Sequence, residues 1–151
     1  MGVVAALVRT AFLVDGVYAE AGRAYGLTPQ QGQLLCVLLD RPCGMSELGE
    51  TLGLAKSSLT GLVDRTVRRG LVRRESDPRD GRAVRVGLTD EGAALAGKFH
   101  AETCRRVESL PSGLSGAERD RLAVLLSRVV VDNEVPEVFA EATKVPVLGV
   151  D

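Results

Sequence analysis

Apolar residues recur every three or four positions over 3–25, at Val4, Leu7, Val8, Ala11, Val14, Tyr18, Ala21 and Tyr25. That spacing predicts one long amphipathic helix. Thr28-Pro29-Gln30-Gln31 follows with the marks of a new helix start: Thr28 as N-cap, Pro29 at the first helical position, Gln31 closing a capping box. This second helix is expected to run through Leu39, and its apolar run over 34–39 reads as buried on most sides. Residues 40–44, Asp-Arg-Pro-Cys-Gly, are expected to form a loop. Ser46 is placed to open a short helix with Glu47 at its positive end, and Leu52-Gly53 to close it. Another helix is predicted from 56 to 69, stopped by Gly70, so the two form a helix-turn-helix.

The period then changes from helical to alternating. Over 83–88, Ala83, Arg85 and Gly87 alternate with Val84, Val86 and Leu88, which predicts a strand with one buried face. Residues 71–75 form its expected partner, and the turn-rich link Ser76-Asp77-Pro78-Arg79-Asp80-Gly81-Arg82 makes a long-tipped hairpin, a wing. Thr89 can cap a fifth helix reaching about residue 110, and Pro111-Ser112-Gly113 breaks it. Ser115 and Glu118 make a second capping box ahead of Leu122, Leu125, Leu126, Val129 and Val130. The tail after Asn133 shows no clear period. The fold class expected is mostly α with a small β-hairpin wing: a winged helix-turn-helix lobe flanked by helical arms.

Composition narrows the functional classes. At 151 residues, with 45% apolar and 26% charged side chains and a net charge of −1, the chain suits one folded, soluble domain. Its longest apolar runs, 3–8 and 34–39, are too short to span a bilayer, and nothing basic precedes the first as a secretory signal would require. Three cysteines, Cys36, Cys43 and Cys104, are an odd number without CxxC spacing, which fits a reducing cytoplasm and argues against a disulfide framework or a zinc site. One histidine, His100, and no phosphate-cradling glycine loop leave little for catalysis, so neither a metal, a cofactor nor a catalytic residue is assigned.

The near-neutral total hides a segregation. Residues 41–85 hold ten of the 19 Lys and Arg but six of the 20 Asp and Glu, a net +4 against −5 elsewhere. A basic segment in an acidic chain points to a polyanion. In the second helix of the pair, Leu59, Leu62, Val63 and Thr66 mark the buried face, leaving Lys56, Ser57, Ser58, Thr60, Gly61, Asp64, Arg65 and Arg68 opposite. Short hydroxyl residues near a helix start suit base edges in a major groove, and the basic residues beyond suit phosphate. Arg79 and Arg82 at the wing tip suit a minor groove. Asp80 is expected to pair with the Arg82 guanidinium and aim it; the alternative is an ordinary surface pair.

Three stretches, 48–65 (LGETLGLAKSSLTGLVDR), 70–74 (GLVRR) and 77–92 (DPRDGRAVRVGLTDEG), resemble the MarR family of transcriptional regulators. The wing signature Asp80-x-Arg82 followed by Leu88-Thr89 is its hallmark, and the likeness extends over about 3–133. The resemblance implies a homodimer on a pseudo-palindromic double-stranded DNA operator, usually repressing and releasing when a small aromatic or lipophilic effector binds. It implies a cytoplasmic, nucleoid-associated protein of a bacterial or archaeal cell. By family position Lys56, Ser57, Ser58 and Thr60 match base-edge contacts, Arg65 a backbone contact and Arg82 the minor-groove arginine. Ala55 departs from the pattern, in which a capping Ser or Asp is common. Within the single domain, 1–27 and 111–151 are then dimerisation helices and tail, 28–90 the DNA-binding lobe and 90–110 the connecting helix. The apolar stripes of the first and last helices also exceed what one lobe can bury, and Val135, Val138, Phe139 and Val147 of the tail are candidates to join them.

Other signals carry less. Cys36 reads as a small buried thiol, Cys43 as a loop thiol open to oxidation. His100 and Cys104, four apart, share a helix face but lack partners for zinc or nucleophilic chemistry. Tyr18, Tyr25 and Phe99 are candidates to line an effector cavity, with core packing as the alternative. Two rival readings remain: a winged-helix module that binds protein instead of DNA, and a thiol-based redox regulator.

Overall fold

The computed structural model describes residues 1–135. Its elements are α1 (Val3–Tyr25), α2 (Pro29–Val37), β1 (Cys43–Gly44), α3 (Met45–Leu52), α4 (Lys56–Arg68), β2 (Val72–Ser76), β3 (Val84–Leu88), α5 (Asp90–Ser109) and α6 (Gly116–Asp132). The helix starts follow their caps. Thr28 Oγ1 accepts from the Gln31 N–H, and Gln31 Oε1 from the Thr28 N–H, both at 3.2 Å. Ser115 and Glu118 form the same box ahead of α6, and Thr89 caps α5 by accepting from the Gly92 N–H at 3.0 Å. Gly26 and Gly53 end α1 and α3 in the left-handed conformation that costs a glycine least.

Four expectations need correction. α2 stops at Val37, not Leu39. Ser46 does not cap α3; Gly44 holds that place and no side chain caps the helix. Residues 43–44 are not loop but a short strand, β1, paired antiparallel with β3 (Cys43 with Val86, Gly44 with Arg85), so the sheet has three strands in the order β1-β3-β2. The buried face expected of β3 holds only in its middle. Val86 is fully buried, but Val84 is 49% exposed toward the hairpin tip. Gly87 is buried beneath Pro42, whose ring a Cβ there would meet at 3.3 Å. Val138, Phe139 and Val147 lie outside the described residues.

Two packing centres result. In the lobe, Leu35, Leu48, Leu59, Leu62, Val63 and Val86 interlock with almost no exposure. At the junction with the arms, Phe99 of α5 is fully buried, with the Tyr18 ring centroid 6.0 Å away and the Tyr25 ring edge-on at 6.4 Å. α2 approaches this ring through Gly32, where any Cβ would lie 2.4 Å from it. The α5 start is seated on the corner at the end of α4: Thr89 Oγ1 donates to the Gly70 carbonyl at 2.6 Å, and its N–H to the Leu71 carbonyl at 3.1 Å. Arg106 ties α5 to Glu20 of α1 at 3.0 Å.

Outside these centres the arms are bare. α6 contains no buried residue, and Leu122, Val124, Leu125, Leu126, Val129, Val130 and Val131 are all exposed. The first half of α1 exposes Val3, Val4, Leu7, Val8, Phe12 and Leu13.

Two glycines of α5 should respond oppositely to alanine. At Gly92 a Cβ would sit 1.8 Å from the Leu71 carbonyl oxygen, so Gly92→Ala should destabilise by about 2 kcal/mol or more in urea unfolding. Gly97 faces open space, so Gly97→Ala should raise stability by up to about 1 kcal/mol in the same measurement.

Candidate nucleic-acid interface

α4 buries Leu59, Leu62, Val63 and Thr66, which fixes its rotation and turns the opposite side outward. Lys56, Ser57, Ser58, Thr60, Arg65 and Arg68 are all exposed on it. Its N-cap is Ala55, which offers no side-chain acceptor, so the first-turn N–H groups stay available at the positive end of the helix. Thr60 donates its hydroxyl proton to the Lys56 carbonyl at 2.8 Å, presenting its methyl group and an acceptor lone pair outward. Gly61, between these residues, keeps the outer surface low.

Arg79, Asp80 and Arg82 are exposed at the wing tip. The expected Asp80–Arg82 ion pair is absent among the described residues. Asp80 Oδ1 instead accepts from the Arg82 backbone N–H at 3.1 Å, and its carbonyl accepts from the Ala83 N–H at 2.9 Å. A short carboxylate reaches the main chain two residues on more readily than the far end of an arginine. Asp77 holds the Arg79 N–H in the same way at 2.8 Å. These aspartates shape the tip backbone and leave both guanidinium groups exposed.

The ten cations of 41–85 fall into two sets. Arg41 pairs with Glu47, Arg73 and Arg85 with Glu75, and Arg74 with Asp64 at 2.6 Å. Arg69 donates to the Gly26 carbonyl at 2.5 Å and to Gln31 Oε1 at 3.2 Å. Among the described residues, the other five make no ion pair: Lys56, Arg65, Arg68, Arg79 and Arg82. All five stand on the outer side of α4 or at the wing tip. The Arg74–Asp64 bridge links the wing to α4 and neutralises the one acid on that side of the helix. Sequence reasoning missed both Arg74 and Arg69, because partners ten and 43 residues away leave no local pattern.

The remaining candidates separate. Tyr18 and Tyr25 pack on Phe99, which is buried core and not a cavity wall. Cys43 is buried at 4% exposure in β1, correcting its reading as an oxidisable loop thiol; burial, followed by the nearby Glu47, raises its pKa. Cys36 is buried too, and its pKa is pushed up to about 12 by burial and then by Cys104. Cys104 is exposed, with His100 3.5 Å from its sulfur. No cluster of three or more metal-binding side chains occurs among the described residues.

A family model described as MarR family matches residues 25–83. The transcriptional repressor NicR of Pseudomonas putida is 34% identical over 110 residues, 72% of this chain and 69% of that protein. Among solved structures, a MarR variant from E. coli complexed with operator DNA superposes with a TM-score of 0.70 at 28% identity, covering 82% of this chain and 90% of that one. CouR from Rhodococcus jostii, bound to p-coumaroyl-CoA, superposes with a TM-score of 0.72 at 26% identity, covering 82% and 87%.

The cysteine geometry predicts one fast-reacting thiol per native chain under a disulfide reagent. Cys104→Ser should abolish the fast phase, and Cys36 and Cys43 should react only on unfolding.

Proposed function

The chain belongs to the MarR family of transcriptional regulators, and from that premise we propose that it represses transcription by gripping a pseudo-palindromic operator as a homodimer and releases it to a small-molecule effector. The observation that carries the reading is the sorting of cations. Five are consumed by internal partners, while the five left unpaired share the surface formed by α4 and the wing tip. A solvated basic face with no target would have no reason to segregate them so.

Lys56, Ser57, Ser58 and Thr60 meet base edges in the major groove, and Arg65 and Arg68 meet phosphate. Arg79 and Arg82 enter the adjacent minor groove, where a narrow A·T-rich stretch concentrates negative potential. Asp80 acts on the tip backbone rather than on a guanidinium. The uncovered faces of α1 and α6 close against a second copy, and two-fold symmetry sets two copies of α4 about one DNA turn, roughly 34–36 Å, apart. As a regulator of this kind it works in the cytoplasm, on the nucleoid. No residue is assigned a catalytic role.

Fluorescence anisotropy with a duplex carrying the inverted repeat nearest the protein's own promoter tests the reading. Affinity should fall steeply with salt as counterions return to the phosphates. Arg82→Ala should weaken binding by about tenfold or more. Asp80→Asn, which keeps the oxygen that accepts from the Arg82 N–H, should bind nearly as wild type, and Asp80→Ala more weakly. A flat salt response would favour a protein-binding module instead.

A further inference from the structure

Gly61 stands in the middle of α4, where a glycine weakens a helix more than any residue but proline. Four other helical glycines answer to the interior. A Cβ would strike the Leu27 carbonyl at Gly22, the Phe99 ring at Gly32, the Leu54 carbonyl at Gly49 and the Leu71 carbonyl at Gly92. Gly61 has no such neighbour. Among the described residues, the one atom that a Cβ there would crowd is Nη1 of Arg65, at 3.2 Å. Core packing therefore does not call for a glycine at this position; an exposed cation does.

Arg65 is exposed one turn beyond Gly61. A helical side chain leans toward the N-terminus, over the turn before its own Cα. The Arg65 guanidinium follows that course onto the bare backbone of Gly61. No acid draws it there. Among the described residues it makes no ion pair, and the neighbouring Asp64 carboxylate is held by Arg74 at 2.6 Å. Ser57, Gly61, Arg65 and Arg68 fall at i, i+4, i+8 and i+11, one stripe along the outward side of the helix.

We propose that Gly61 is a positioning residue of the DNA-binding surface: its missing side chain is a seat that keeps the Arg65 guanidinium close against α4 and aims it at a phosphate. A cation lying against the helix travels with it into the groove, whereas one lifted by a methyl group stands between helix and DNA. The seat also limits the conformations that Arg65 must give up on binding. This role rests on the DNA reading above and adds to it a residue that acts through Arg65. The glycine gives up helix stability in exchange for aim.

Fluorescence anisotropy on the operator duplex, with thermal melts of the same proteins, tests the proposal. Gly61→Ala should raise the melting temperature by about 2 °C, because nothing in the core resists the methyl group. It should nevertheless weaken operator binding by about threefold or more. Arg65→Ala should flatten the slope of log K against log salt by about one, as loss of one phosphate contact does. Gly61→Ala should flatten it part of the way, which a purely structural effect would not do. In an Arg65→Ala background, Gly61→Ala should cost no further affinity. Wild-type affinity and slope in Gly61→Ala would overturn the proposal. So would an equal loss with and without Arg65, which would mean that the methyl group meets DNA directly. Salt and Arg82→Ala keep the two readings apart. If both weaken binding while Gly61→Ala does not, only the seat falls; if neither does, the DNA reading falls and the seat with it.

Discussion

The constraint on which the structure turns is the uncovered apolar surface of its first and last helices. α6 runs for 17 residues without burying one, although Leu122, Leu125, Leu126, Val129 and Val130 line its length. An isolated helix of that length is marginal in water, and contiguous exposed apolar surface on this scale marks an interface. The outer half of α1 has the same need, with Phe12 69% exposed. A second copy answers both, because a two-fold interface lets each bare face cover its symmetry mate. Everything proposed about operator spacing follows from that closure.

The arms matter to DNA only if the lobe is fixed to them, and the fixings are identifiable. Phe99 sits where α1, α2 and α5 converge, and Gly32 is small so that α2 can close on its ring. Arg69, at the C-cap of α4, reaches the carbonyl that ends α1 and the capping box that starts α2. Exposed ion pairs such as Arg74–Asp64 and Arg106–Glu20 contribute little stability. Their consequence is geometric: one links wing to α4, the other α5 to α1. Spending half the basic segment on such ties also removes competing positive charge, so that the free cations define one face.

The sequence was most legible where structure is locally determined. The capping boxes at Thr28 and Ser115 and the cap at Thr89 need partners only three residues away, and they mark three helix starts correctly. The buried side of α4 was equally plain, because a helical period repeats over its whole length. β1 was not, since two residues carry no period and Cys43 becomes a strand residue only by pairing with Val86. That same pairing buries its thiol. The partner of Asp80 is not legible either, because charge suggests a guanidinium, whereas its carboxylate accepts from the backbone N–H two residues on.

Sedimentation equilibrium of the chain, alone and with an operator duplex, tests the central claim most directly. Two-fold closure predicts a free particle of twice the 16.0 kDa chain mass and two chains on each duplex. A single 16.0 kDa chain that binds the duplex one to one with undiminished affinity would contradict it.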